Sequence, residues 1–298
     1  MSSPSASPLP PMVPGPPYPP SNAALGGTPT VSVDVPISAV FLALFLVGAV
    51  AHMTIFRRNR ARGHKFIPSA AVFGFCMARI VANTLRIAWA HNPNNLQLAI
   101  PAQVFVSAGV LLLFVVNLIY AQRILRAAHP QLGWSRPLSI FYRVIYVLLG
   151  LTLAMVVTVT VQTLFTLNPN THRIDRDIQL YSASFFMVVS FLPLPILAYA
   201  QLAPRRSRYI DSFGTGSWNV RVVILAVTSF LLCLGASFRA GTSYLTPRPV
   251  TDPAWYQSRV CFYVFNFTME ALVVHIYVFT RVDKRFYVPD GSSKVRNY

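Results

Sequence analysis

Residues 260–279 are VCFYVFNFTMEALVVHIYVF, an apolar stretch long enough to cross a bilayer as a helix, which takes about 20 residues. Its one acidic residue is Glu270, which is also the only glutamate in the chain. A charge at the centre of a membrane span is costly, so Glu270 is expected to face the protein interior and to have a partner. The candidate partners inside other apolar stretches are Arg79, Arg86 and Arg239.

The whole chain has a membrane-protein composition, with 54% hydrophobic and only 11% charged residues. Helices are expected because a span must satisfy its own backbone hydrogen bonds in lipid, and the period-two alternation of a membrane barrel is missing. We therefore predict an all-α membrane protein, a seven-transmembrane-helix bundle. Its predicted spans are Pro36–Phe56, Phe66–Ala90, Leu98–Ala121, Leu138–Leu164, Ile178–Ala200, Val220–Tyr244 and Ser258–Thr280.

The formal net charge of +17 is concentrated in alternate loops, which indicates topology rather than nucleic-acid binding. The positive-inside rule predicts an N-terminus outside and a C-terminus in the cytoplasm, as an odd number of spans requires. The basic loops are also expected to attract anionic lipids of the inner leaflet. These basic residues are Arg57, Arg58, Arg60, Arg62, Lys65, Arg123, Arg126, Arg136, Arg205, Arg206, Arg208, Arg281, Lys284 and Arg285.

Three segments are predicted along the chain. Residues 1–35 are rich in Pro and Ser, carry Asp34 as their only charge, and are expected to form a disordered extracellular tail. Residues 36–280 form the membrane domain, and residues 281–298 form a short basic cytoplasmic tail. The plasma membrane is the expected location.

An enzymatic role is not expected, because Glu270 is the only acid within a predicted span and no catalytic set is recognisable. No lysine lies in a span, which excludes a retinal Schiff base, and no cofactor is expected. His52 and His275 lie at similar depth near the cytoplasmic side, but two histidines without a third ligand make a poor zinc site. We therefore predict no metal site.

The polar residues of the second and seventh spans follow helical spacing. In the second span Arg79, Asn83 and Arg86 share one face; in the seventh Tyr263, Asn266, Glu270 and Tyr277 do the same. At about 1.5 Å per residue, Arg79 and Glu270 both lie roughly 18 Å from the outer ends of their spans. Depth therefore favours an Arg79–Glu270 ion pair, extended by Asn83 and Asn266 at a second common depth.

Arg86 and Arg239 lie closer to the outer surface. They are expected to line a positively charged pocket that opens outward, with Asp175 or Asp177 as a nearby partner. The alternative interpretation is that the buried pair only fixes helix packing and that no ligand binds. A buried pair by itself is weak evidence of net stabilisation, although the loss of one partner is severe.

Several stretches resemble an uncharacterised fungal seven-transmembrane family that is often labelled family-C-like G-protein-coupled receptor. The resemblance covers nearly the whole chain after the N-terminal tail and implies a receptor-like seven-helix topology. The stretches that carry it are Ala51–Met53, Gly74–Arg79, Asn117, Ala121–Arg123, Phe238–Gly241, Phe265–Glu270 and Arg281–Phe286.

The leading functional hypothesis is a receptor- or sensor-like protein with an outward-facing polar pocket for an unknown small ligand, and with a cytoplasmic signalling partner. The alternative is a transporter or lipid-translocating exporter that uses a midplane Arg–Glu pair. A scaffold without a ligand also stays open.

Overall fold

Seven long helices follow one another in a computed structural model of the chain, which describes residues 15–19, 22–204 and 214–287. Each is long and apolar enough to cross a membrane, so the predicted seven-helix, all-α architecture is confirmed. The part of the chain described here contains no β-strand. The helices are α1 Val31–Ala61, α2 Ile67–His91, α3 Leu96–Ala128, α4 Arg136–Phe165, α5 Pro169–Leu202, α6 Trp218–Tyr244 and α7 Arg259–Phe279.

Three of the seven helices are interrupted. α3 consists of Leu96–Gly109 and Leu111–Ala128, and α5 of Pro169–Phe191 and Pro193–Leu202. Proline lacks the N–H that would continue a helix, which explains the interruption of α5 at Pro193. α7 begins as Arg259–Tyr263, passes through a π-helical turn at Val264–Thr268, and continues as Met269–Phe279.

The bundle buries some of its large apolar side chains and exposes others on its outer faces. Phe45 of α1, Phe75 of α2 and Phe267 of α7 are fully buried, and the ring centroid of Phe45 lies 5.8 Å from that of Phe75 and 6.5 Å from that of Phe267. Large apolar side chains such as Val47 and Phe230 are instead exposed along the outer faces. Exposed apolar surface on this scale suits contact with lipid rather than with water.

Two helices start more than two residues before their predicted starts. α1 begins at Val31 and not at Pro36, so Asp34 lies in a helix and is fully buried, where a disordered tail was expected. A carboxylate can be buried here because it is paired with a cation, as described below. α5 begins at Pro169 and not at Ile178, so Asp175 and Asp177 are helical rather than part of a loop. The predicted boundaries of the membrane domain, after residue 35 and after residue 280, otherwise stay a prediction.

Candidate functional site

Arg79 and Glu270 lie against each other in the interior, joining α2 to α7. Nε and Nη2 of Arg79 donate hydrogen bonds of 2.6 and 2.7 Å to the two carboxylate oxygens of Glu270. The side chains are 0% and 2% exposed. Two parallel charge-assisted bonds fix the orientation of both groups as well as their distance. The structure therefore contains the Arg79–Glu270 ion pair that the equal depth of the two residues in their spans predicted.

The same arginine also binds the broken helix α3. Its Nη1 donates to the backbone carbonyls of Phe105 at 3.2 Å and Val106 at 2.9 Å, one turn before the interruption at Gly109. One guanidinium group therefore connects three helices, of which two are interrupted near the contact. No feature of the sequence indicated these carbonyl partners.

Glu270 has a second, looser partner in α6. Nη1 of Arg239 lies 3.8 Å from a carboxylate oxygen of Glu270 and 3.3 Å from Oδ1 of Asn266. The side chain of Arg239 is 23% exposed, whereas that of Glu270 is 2% exposed. Two arginines therefore share one carboxylate, which leaves the three side chains with one excess positive charge. Counting residues from the end of its span places Arg239 closer to the outer surface than Arg79 and Glu270. In the structure its side chain nevertheless reaches Glu270.

The two asparagines contribute unequally. Asn266 accepts from Arg239, as described, and its amide also donates to the Phe262 carbonyl at 2.9 Å. Asn83 donates at 2.8 Å to the backbone carbonyl of Arg79, and its Oδ1 is buried without a hydrogen-bond partner in the described part of the chain. Asn266 is therefore linked to the ion pair through Arg239, and the amide of Asn83 bonds the backbone of its own helix rather than either side chain of the pair.

A second buried ion pair joins Arg86 to Asp34. Arg86 donates from Nε at 3.1 Å and from Nη2 at 2.7 Å to one carboxylate oxygen of Asp34. The hydroxyl of Tyr263 donates to the same oxygen at 2.8 Å and lies 3.0 Å from Ser38 Oγ. Arg259 approaches the other oxygen at 3.2 Å. Tyr263, predicted to share a helix face with Glu270, belongs instead to this second cluster.

Asp175 and Asp177 are not the partners of Arg86 or Arg239, contrary to expectation. Asp175 is 3% exposed and accepts a hydrogen bond of 3.1 Å from Thr163 on α4. The physical reason is that α5 begins early, which turns Asp175 toward its neighbour α4. Asp34 was missed because the start of α1 was set at Pro36.

The chain before α1 crosses the end of the bundle, and residues 22–30 are called the strap from here on. The Ala23 amide donates to the Arg248 carbonyl at 2.8 Å, and the Gly26 amide donates to the Gln257 carbonyl at 2.9 Å. Arg86 donates to the Gly26 carbonyl at 3.0 Å. Gly26 has φ of 81°, and a Cβ there would lie 2.6 Å from the Phe262 ring, so only glycine fits.

A cavity of about 310 Å³ opens beside the strap, between α5 and α6. Its lining includes Leu25 of the strap, Arg176 and Gln179 of α5, and Thr242 and Ser243 of α6. Neither Arg86 nor Arg239 lines this cavity, so it is not the pocket predicted to lie between those two arginines. Arg86 is enclosed by its own partners, whereas Arg239 lies one helical turn below Ser243.

That turn of α6 links the cavity to the ion pair. The hydroxyls of Thr242 and Ser243 donate to the carbonyl of Arg239 at 3.1 and 2.8 Å. The walls of the cavity and the second partner of Glu270 therefore belong to one continuous stretch of helix. We define the candidate site as this cavity together with Arg239, Glu270 and Arg79.

The π-helical turn of α7 lies beside this site, packed against α6. A Cβ on Gly235 would lie 2.7 Å from the carbonyl oxygen of Phe265, so the helices approach this closely only because residue 235 is glycine. The rings of Phe238 and Phe265 stack with centroids 3.8 Å apart. π-Helical turns occur often at functional sites, because they place side chains out of the ordinary register.

A third polar junction lies deeper along α7. The hydroxyl of Tyr277 donates to Oδ1 of Asn117 on α3, and the amide of Asn117 donates to Ser229 on α6 at 3.2 Å. Tyr277 was predicted to share the face of Glu270, but the sequence gave no indication of its partners. α7 is consequently held by polar contacts at three levels, through Tyr263, Glu270 and Tyr277.

No group of three potential metal ligands occurs among residues 15–19, 22–204 and 214–287. His52 lies 3.2 Å from the carbonyl of Val274, and Nδ1 of His275 lies 2.8 Å from the carbonyl of Ala271. The ring of His52 thus bridges α1 and α7, whereas the ring of His275 contacts the backbone of its own helix.

The comparisons with known proteins bear on the last third of the chain. Residues 214–287 match a family described as "Protein of unknown function (DUF3112)". The match covers α6 and α7, and with them Arg239, Asn266 and Glu270. No curated protein and no solved structure matches the chain.

Proposed function

We propose that this multi-pass membrane protein is a receptor-like sensor, non-catalytic, with its N-terminal end outside the cell and its C-terminal end in the cytoplasm. Its ligand enters the cavity beside the strap. The observation that supports this proposal is the position of Arg239. Its guanidinium lies 3.8 Å from Glu270, while Ser243, one turn away on α6, lines the cavity.

The charges of the site favour an anionic or polar ligand. Arg79 and Arg239 together outweigh Glu270 by one positive charge, and Arg176 adds another at the cavity wall. A ligand anion at the floor of the cavity attracts Arg239 away from Glu270. Arg79 then keeps the carboxylate, because it holds it through two short bonds rather than one long contact.

The consequence of that exchange is a change in how α6 packs against α7. The two helices meet at Gly235 and the π-helical turn, where backbone approaches backbone. A ligand shifts the equilibrium between two packing arrangements only if it binds one of them more tightly. Here the ligand binds more tightly to the arrangement in which Arg239 has left Glu270.

At the opposite end of the bundle, the basic loops are the proposed contact for a signalling partner. Arg205, Arg206 and Arg208, which belong to one of these predicted basic loops, lie outside the described residues. The proposed location is the plasma membrane, where the inner leaflet supplies anionic lipids for the same basic loops.

One observation favours the alternative of a transporter or lipid-translocating exporter. The helices α3 and α7, which both contact the ion pair, are interrupted next to it, at Gly109 and at Val264–Thr268. Transporters commonly bind their substrates at broken helices near the bilayer midplane. On this alternative, Glu270 and Arg79 would separate during each transport cycle.

The test begins with a panel of small carboxylates and phosphate esters, screened for an increase in the unfolding temperature of the purified full-length protein. A compound that binds this site stabilises the wild type and the Arg248→Gln variant, but not Arg239→Gln. Arg248 is a matched control because it is exposed and pairs with Asp252 near the same end. Stabilisation that persists in Arg239→Gln contradicts the proposed site.

The same compound, radiolabelled, then separates the two functions. Reconstituted vesicles that bind the compound without accumulating it support the sensor. Accumulation that Glu270→Gln abolishes supports the transporter and removes the sensor proposal.

A further inference from the structure

A cluster of two arginines and two tyrosines lies far from the site described above, between α3 and α4 at the end of the bundle where α7 ends. Arg123 and Arg126 are in the last two turns of α3, and Tyr142 and Tyr146 are one turn apart on α4. The four side chains are called the tyrosine–arginine cleft. The tyrosine ring centroids are 6.3 Å apart, as expected for two residues one turn apart on the same face of α4.

Both tyrosine hydroxyls of the cleft are buried without a hydrogen-bond partner in the described part of the chain. Tyr142 is only 2% exposed. Buried polar groups are nearly always satisfied, so an orphaned pair of hydroxyls indicates a water, an ion or a ligand that completes them. Arg126 lies close enough to both tyrosines, and Arg123 to Tyr146, for their charges to influence one another.

Both arginines are held in place without a carboxylate. Arg123 donates to the carbonyl of Phe286, and Nε of Arg126 donates to the carbonyl of Gly133 at 3.1 Å. The guanidinium of Arg126 also lies 4.1 Å from the centre of the Trp134 ring. Within the described ranges, no ion pair involves either arginine. Among the described residues, two partly buried positive charges therefore lie near two unpaired hydroxyls and have no acidic partner.

Every polar group of the cleft that is free to bind a ligand can donate a hydrogen bond. Guanidinium groups only donate, and a phenol donates to an anion. We propose that the tyrosine–arginine cleft binds a phosphate group. A phosphate offers several acceptor oxygens and one or two negative charges, which suits two arginines and two hydroxyls better than the two oxygens of a carboxylate.

The position of the cleft fits a phosphate at the membrane interface. Arg126 is two residues from the end of α3 at Ala128, so it lies within about 3 Å of that end. The phosphate groups of phospholipids lie at the same level as the ends of membrane helices. The chemistry is the same for a phospholipid headgroup and for a soluble phosphate, and the experiment separates the two sources.

The test uses the purified full-length protein in detergent and three probes: dioctanoyl phosphatidic acid, dioctanoyl phosphatidylcholine and inorganic phosphate. Native mass spectrometry over a titration of each lipid gives the apparent dissociation constant. We expect the wild type to retain phosphatidic acid more tightly than phosphatidylcholine. The Tyr142→Phe/Tyr146→Phe double variant, which loses only two hydroxyls, should bind phosphatidic acid about tenfold more weakly or worse.

Arg143→Gln is the matched control, since Arg143 follows Tyr142 on α4 but is exposed on another face. It removes the same charge as Arg126→Gln at the same end of the bundle. We expect Arg143→Gln to bind like the wild type and Arg126→Gln to bind at least about tenfold more weakly. Because Arg126 is only half-buried, its variant keeps the test available if the double variant does not fold.

The outcomes separate cleanly. If inorganic phosphate displaces the lipid from the wild type, a soluble phosphate suffices; if it does not, and the variants still lose binding, the source is the phospholipid. Equal affinity of the wild type, the double variant and Arg126→Gln for phosphatidic acid would overturn the proposal, as would equal retention of phosphatidylcholine.

Discussion

Arg79 and Glu270 are joined by two hydrogen bonds of 2.6 and 2.7 Å although 191 positions separate them in the chain. Their surroundings are not symmetric. Arg79 also donates to two carbonyls of α3, whereas Glu270 also faces Arg239 at 3.8 Å. Removing the acid therefore leaves two arginines in the interior without a counter-charge, and this asymmetry can be measured.

Glu270→Gln should lower the free energy of unfolding by about 3–5 kcal/mol, the usual cost of leaving a buried charge without its partner. Asp252→Asn, at a carboxylate that is 72% exposed in its pair with Arg248, should change it by less than about 1 kcal/mol. Unfolding of the purified variants in detergent gives both values. The Arg79→Glu/Glu270→Arg swap should recover only part of the loss, because a glutamate at position 79 cannot donate to the carbonyls of α3. A Glu270→Gln variant as stable as the wild type would contradict the pairing.

The sequence predicted this pair because depth in a membrane helix depends only on counting residues from the end of a span. The number of helices followed for a similar reason, since crossing a bilayer requires a long apolar stretch whatever its neighbours are. Both inferences use local information and the fixed rise of a helix.

Other features of the fold depend on contacts between helices, which cannot be obtained by counting residues along one span. The pairing of Asp34 with Arg86 was missed because a shift of five residues in the start of α1 moves Asp34 from the tail into the bundle. The π-helical turn depends on how closely Gly235 lets α6 approach Phe265. The cavity between α5 and α6 is also lined by the strap and by residues after α6, segments for which the sequence predicted no contacts.

The strap should loosen when its anchor is weakened. Tyr263→Phe removes a hydroxyl that donates to Asp34 at 2.8 Å, and we expect a loss of about 1–2 kcal/mol. Hydrogen exchange should become faster at the amides of Ala23 and Gly26, which bond the strap to the segment between α6 and α7. Tyr181→Phe, at an exposed tyrosine of α5, is the control and should leave both amides protected. Unchanged exchange in Tyr263→Phe would show that the strap is held by other contacts.

Acid should weaken the contact between the C-terminal end of α1 and the residues after α7. Burial raises the pKa of the Asp283 carboxyl, but hydrogen bonds from Arg281 and Asn59 outweigh it, so that the pKa lies below its usual 3.8. A carboxyl whose pKa is lowered on folding contributes stability at pH values above 3.8, and that stability disappears as the pH falls through the lowered pKa. The difference in unfolding free energy between the wild type and Asp283→Asn should therefore be constant from about pH 7 to pH 5 and shrink below about pH 4. A difference that does not depend on pH would show that Asp283 acts only through packing.

Two glycines of α6 offer a matched test of the contact with the π-helical turn. A methyl group at position 235 would lie 2.7 Å from the Phe265 carbonyl oxygen, while at position 241 it meets nothing within 4 Å. Gly235→Ala should therefore cost about 1–3 kcal/mol, because backbone must move. Gly241→Ala should be neutral or stabilise by up to about 1 kcal/mol, since alanine restricts the unfolded chain. Both substitutions add the same methyl group to the same helix, so unfolding measurements on the two variants isolate the packing against α7. Equal effects would mean that α6 and α7 do not meet at Gly235.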